Sequence, residues 1–250
     1  MFVHGEMLIR SWRQQGIEDA LAVYFEILRL NIHDNQGARY LIPGLYMWLG
    51  RNQEAYDFLK GWALQAAGKP ETKQIEDPSL MYLHVKNADP TEGVDLWTGR
   101  FLQLAFTSSI QLLKARLVIG LDLLLEYIKA LPQGAPAASP REILASVRGQ
   151  YCDDIIERLA ETFVDADSII KKRDEINKQM MELFAATGTY NEHFWPMMLQ
   201  PEERDFSTRS MGYTYGSREE AHLAFKYTYP AWCETPMALE SVRATMAGRE

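Results

Sequence analysis

Ile17, Ala20, Leu21, Tyr24, Ile27 and Leu28 recur at three- and four-residue steps, the spacing of one stripe on an α-helix, with Glu18, Asp19, Glu26 and Arg29 outside it. The pattern gives out in the polar run Asn31 to Asn35. A second helix is expected to carry Tyr40, Leu41, Leu45 and Trp48, closing at Leu49-Gly50, where glycine can take the left-handed conformation that ends a helix. A third carries Ala55, Phe58, Leu59, Trp62 and Ala66. Short amphipathic helices over 17–66 rule out a sheet there, and their apolar faces need cover from elsewhere in the chain.

The first and third helices match at a 35-residue offset: Ala20 with Ala55, Tyr24 with Leu59, Ile27 with Trp62. That is close to the period of tetratricopeptide repeats, about 34 residues, in which a small residue lets two helices approach and a bulky one fills the groove. Gly50, five before Ala55, stands where such a repeat turns. About one and a half repeats are legible, with Met7, Leu8 and Trp12 a thin stripe for a preceding helix. So few repeats cannot enclose a core alone, and the hairpin is expected to dock on the rest of the chain. Pro43 falls inside the second helix, where it should introduce a kink at a cost of ~3 kcal/mol if uncompensated. Such a kink would wrap Tyr40 and Trp48 around a curved core, or open a groove.

Residues 96–130 form the most apolar stretch, with Leu104, Leu112, Leu117, Leu121, Leu124 and Ile128 among its two faces. A helix apolar nearly all round belongs in a core, and a bend is expected at Gly120. The uncharged run from Phe101 to Leu113 falls short of the ~20 residues a bilayer span needs. Before it, 67–95 is a connector punctuated by Pro70, Pro78 and Pro90, with Leu80, Tyr82, Leu83 and Val85 able to bury a short segment. After it, the uncharged 131–139 reads as a surface loop. Ser139-Pro140-Arg141-Glu142 is a capping box opening a helix through Ile143, Val147, Tyr151, Ile155, Leu159 and Phe163. A further helix, about 166–186, carries Ile169, Ile176, Met180, Leu183 and Phe184.

Ten aromatic residues fall between 190 and 232. Trp195-Pro196 and Gln200-Pro201 point to an irregular packed segment, and Ser217-x-x-Glu220 is a capping box for a helix towards Trp232. Thr235-Pro236 is expected to cap the last helix, leaving Met237, Leu239 and Val242 for packing. The aromatic group either seals the core or lines a pocket for a peptide or small apolar ligand.

A net charge of −8, with Lys171-Lys172-Arg173 ringed by Asp167, Asp174 and Glu175, argues against binding a nucleic-acid backbone. Cys152 and Cys233 make no disulfide framework, and the stretch around His4, Glu6 and Arg10 lacks the apolar core of a signal peptide. A reducing compartment, cytosol or nucleus, is the expectation, and secretion is not.

Several runs resemble a family of uncharacterised fungal proteins. They are Leu30 to Pro43, Leu49 to Phe58, Phe194-Trp195-Pro196, Gly216 to Glu220 and Tyr229 to Pro236, scattered over roughly residues 20 to 240. The resemblance implies a helical, tetratricopeptide-like domain and no established activity. Some relatives are labelled with an MYND-type zinc finger, and this chain lacks the cysteines for one.

Asp153-Asp154-Ile-Ile-Glu157 fits the pattern by which helical terpene cyclases hold magnesium and diphosphate. Asp165, Asp167, Lys171 and Glu175 do not supply the second metal motif, so the acids read as a solvated face. Glu219-x-x-His222 resembles half of a di-iron site, but no second pair exists, and His222 reads as a surface or capping residue. Cys152, on an apolar helix, reads as core. No phosphate-binding loop, G-x-S-x-G or H-E-x-x-H occurs. No cofactor, metal or catalytic residue is therefore assigned.

The expected fold is all-α. A tetratricopeptide-like hairpin (1–66) packs on a central apolar helix (96–130) and a helical, aromatic-rich half (140–250), all in one domain. The expected function is protein binding or scaffolding. Arg39, Tyr40, Met47 and Trp48, with Gly44, would present an apolar concave face to a peptide. Arg39 alone is basic there, which does not suit the acidic tails gripped by chaperone-binding repeats. The alternative is a helical enzyme of small-molecule metabolism with its pocket among the 190–232 aromatics.

Overall fold

The apolar stripes become helices almost where their periodicity places them. The computed structural model describes residues 5, 14–31, 33–68, 84–99, 102–130, 154–207 and 212–247, and among these the chain is all-helical, with no strand. Outside them lie Met7, Leu8, Trp12, Leu80, Tyr82, Leu83, Phe101, the 131–139 loop, the Ser139 capping box, Ile143, Val147, Tyr151, Cys152 and Asp153.

Helix α1 (Gln14–Leu30) buries all six residues of its stripe. The turn after it is built by Asp34, at φ 48, and Gly37, at φ 75. The Asp34 carboxylate accepts from the backbone N–H of Ala38 (2.7 Å) and Arg39 (3.0 Å) and winds Ala38–Tyr40 into a 3-10 turn. Helix α2 (Ile42–Trp48) therefore starts later than Tyr40, and Pro43 lies in its first turn. An N–H there has no intrahelical acceptor in any case, so the expected kink does not arise. Gly50, at φ 72, closes α2, and α3 (Asn52–Ala66) buries Ala55, Phe58, Leu59 and Trp62. Ala66, expected on the same stripe, is exposed in the last turn.

The central helix α4 (Leu104–Ala130) starts eight residues later than its apolar composition suggests, because 94–99 coil into turns. It runs without interruption through Gly120. Leu104, Leu117, Leu121 and Leu124 are buried, and α4 packs against α2, α3 and the later helices α5 (Asp154–Ala160), α6 (Ala166–Tyr190), α9 (Arg218–Cys233) and α10 (Ala238–Ala247). Asp165 opens α6 by accepting from the backbone N–H of Ser168 at 2.8 Å. The segment expected to be irregular holds α7 (Phe194–Leu199) and α8 (Glu203–Ser207). Pro196 sits in the first turn of α7, where it is tolerated. Ser217 accepts from Glu220 N–H as predicted, but the Glu220 carboxylate turns to Gly216 N–H and the Tyr190 hydroxyl. Thr235 does not cap α10: its hydroxyl donates to Ala231 O and accepts from Arg116 Nε. Met237, at φ 65, is exposed instead of packed. One continuous core joins Ile17 in α1 to Val242 in α10.

The segment 84–99 has neither helix nor strand, and side chains hold it in place. Asp57 accepts from Asn87 and Ala88 N–H, Gln53 donates to Ala88 O, and Lys60 pairs with Glu92, which also accepts from the Tyr56 hydroxyl. From below, the Lys114 ammonium donates to Pro90 O (2.8 Å), Glu92 O (2.8 Å) and Gln179 Oε1 (2.7 Å). Gln179 completes the knot by donating to Thr91 O at 3.0 Å.

Helix α9 crosses α2 at Gly44, where a Cβ would stand 2.9 Å from the Tyr227 backbone oxygen. Gly44→Ala should push the two helices apart and lower stability by about 1–3 kcal/mol. Urea unfolding reads this directly; an unchanged midpoint would mean that α9 can retreat without loss.

Candidate functional site

The concave face expected on α2 is occupied by α9. Met47 is buried, Gly44 meets the Tyr227 backbone, and Trp48 is half-buried against the core. Tyr40 stacks on Tyr227 with ring centroids 6.1 Å apart and planes 7° from parallel, and it tilts against Phe106 at 5.2 Å. Among the described residues, the chain's own aromatic helix thus lies over Gly44 and Tyr40, in place of the expected open groove.

What remains open lies around Arg39. Arg39 stands in the 3-10 turn at Ala38–Tyr40, and its guanidinium carbon lies over the Tyr40 and Trp62 rings, 4.8 Å from each centroid. The cation thus lies against two aromatic rings, which restrict its orientation. Its Nη2 donates to the Tyr40 hydroxyl at 2.9 Å, and its Nε is buried with no hydrogen-bond acceptor. Asp34 Oδ2, 3.6 Å from Nε, is too far for a hydrogen bond, and the Asp34 oxygens are taken by backbone N–H groups. Burial raises the Asp34 carboxyl above its ordinary value, opposed by those N–H bonds and by the Arg39 charge.

Arg39 stands in the wall between two clefts. The first, about 400 Å³, is lined by Trp62, Trp97, Phe106, Gln103, His33 and Arg39 among others. The second, about 390 Å³, is lined by Arg39, Tyr40, Tyr213, Tyr215, Tyr227 and Glu220 among others. Both volumes fall within the range of small-molecule sites. Gln103 also belongs to both, and its Oε1 is buried with no hydrogen-bond partner. In the second cleft, burial raises the Tyr213 hydroxyl above its ordinary value, with smaller contributions from Tyr40 and Glu220. Trp97 reaches the first cleft from the 84–99 segment, so the Lys114 and Glu92 bonds that hold that segment also position a cleft wall.

Of the sequence candidates, Arg39 and Tyr40 open onto the clefts, while Met47 and Trp48 are not part of their linings. The 190–232 aromatics divide. Phe194, Trp195, Phe225 and Trp232 are core, whereas Tyr213, Tyr215 and Tyr227 line the second cleft. Trp62 read as core from its stripe, and Trp97 and Gln103 carried no signal, because their roles depend on the fold of 84–104. Asp154 is exposed and pairs with Arg158. His222, expected at the surface or as a cap, is buried, and its Nε2 lies 2.7 Å from the backbone oxygen of Asp205 in α8. Among the described residues no group of His, Cys, Asp or Glu is placed to hold a metal ion, and no helix is long and apolar enough to cross a membrane. Comparison with protein-family models, curated proteins and solved structures found no match.

Proposed function

We propose that this chain is a binding domain whose ligand is anchored at Arg39, in the clefts on either side of that side chain. One observation carries the reading: a guanidinium resting on the Tyr40 and Trp62 rings whose Nη2 alone makes a hydrogen bond, in a wall shared by two cavities of ligand size. Holding a cation so firmly orders a flexible side chain in advance of binding, which reduces the entropy lost when a ligand arrives.

The same proposal takes the N-terminal hairpin as tetratricopeptide-like and akin to the fungal family it resembles. The offset pair Ala20 and Ala55 is fully buried, and Phe25 of α1 meets Phe58 of α3 edge-on at 5.8 Å. Here the hairpin serves as scaffold, and its binding residue is Arg39 at the turn before α2.

Mass spectrometry of molecules extracted from the purified full chain tests the function. Wild type should carry species that Arg39→Met, folded by circular dichroism, lacks. Identical extracts from the two proteins would refute a ligand site at Arg39.

A further inference from the structure

Resting on that reading, we infer that the first cleft takes a small monocarboxylate with an aromatic or aliphatic body. The two clefts differ in charge. Glu220 lines the second and would repel an anion there, while among the described residues no acidic side chain lines the first. The carboxylate nearest to Arg39, Asp34, has a fully buried side chain and spends its oxygens on backbone N–H groups. The first cleft thus meets a cation whose charge is only partly offset.

Size and lining narrow the class further. A single guanidinium matches a single negative charge, and a phosphate monoester would bring nearly two. Trp62, Trp97 and Phe106 supply flat apolar walls for the body of the ligand, in about 400 Å³. An acid with an aromatic body meets both demands, and so does a plain fatty acid of similar size.

Isothermal titration calorimetry on the full chain tests this with octanoate, 3-phenylpropanoate and indole-3-propionate, each against its primary amide. The acids should bind, with each amide about tenfold or more weaker. Arg39→Met should abolish the preference for acid over amide, and Arg39→Lys, which keeps the charge but not the planar fork, should retain part of it. Equal binding of acid and amide by wild type, no binding of any acid, or an acid preference that survives Arg39→Met would each overturn the inference. An extract holding only neutral or cationic species that depend on Arg39 would also overturn it, while leaving the binding function in place.

Discussion

Trp232→Ala is expected to lower the free energy of unfolding by about 3–5 kcal/mol, the range for truncating a buried aromatic. Trp232 is fully buried, meets the Trp195 ring edge-on at 5.8 Å and donates from Nε1 to Ser108 Oγ at 3.1 Å. Ser108 in turn bonds Thr228, one turn back along α9. Truncation would empty the seam between α4, α7 and α9 and leave the Ser108 hydroxyl with one partner fewer. Trp232→Phe, which keeps most of the volume but not the N–H, should lose markedly less. Urea unfolding of the three proteins measures both steps, and a loss of under 1 kcal/mol for Trp232→Ala would show that the seam collapses to fill the space.

Lys114→Met should cost about 3 kcal/mol by stranding Pro90 O, Glu92 O and Gln179 Oε1, three acceptors with no other route to a cationic donor. The loss is partly offset because the cation is itself poorly solvated. Burial pushes Lys114 down to about 8 from 10.5, with Asp89 and Glu92 pulling the other way. That depression fixes a pH signature. Between about 8 and 10.5 the unfolded chain holds more protons at this site than the folded one, so stability rises with pH across that window and is flat below it. Its full extent is about 3 kcal/mol. Above about 10.5 the trend reverses, because the Tyr56 and Tyr190 hydroxyls are raised by burial and by Glu92 and Glu220, so that unfolded phenols ionise first. Wild type should therefore show a stability maximum on the alkaline side, and Lys114→Met should lack the rise towards it. A variant with the wild-type pH profile would remove Lys114 as its cause.

What the sequence reveals is the part of the fold written in local periodicity. Ile17 to Leu28 and Ile169 to Phe184 lie on the faces their spacing predicts, because three- and four-residue steps fix one side of a helix whatever covers it. Pro43 misleads because the second helix begins at Ile42: the Asp34 carboxylate winds the preceding residues into a different turn, and a proline's effect depends on the distance to the helix start. Lys114 is invisible for another reason. Its partners lie 24, 22 and 65 residues away, and in the apolar run it looks like an interruption when it is an anchor. The site is half legible. Arg39 stands out as the sole cation on its face, but the removal of Met47 from solvent depends on α9 packing there from nearly two hundred residues away.

Arg116 binds the two ends of the chain to its middle. From α4 it donates to Met47 O at the end of α2, to Asn52 Oδ1 at the start of α3, and to the Thr235 hydroxyl between α9 and α10. The first and last quarters of the sequence thus converge on one guanidinium, which neither can release without stranding the other. Excising the segment that carries any one of these acceptors would leave a raw edge against that cation.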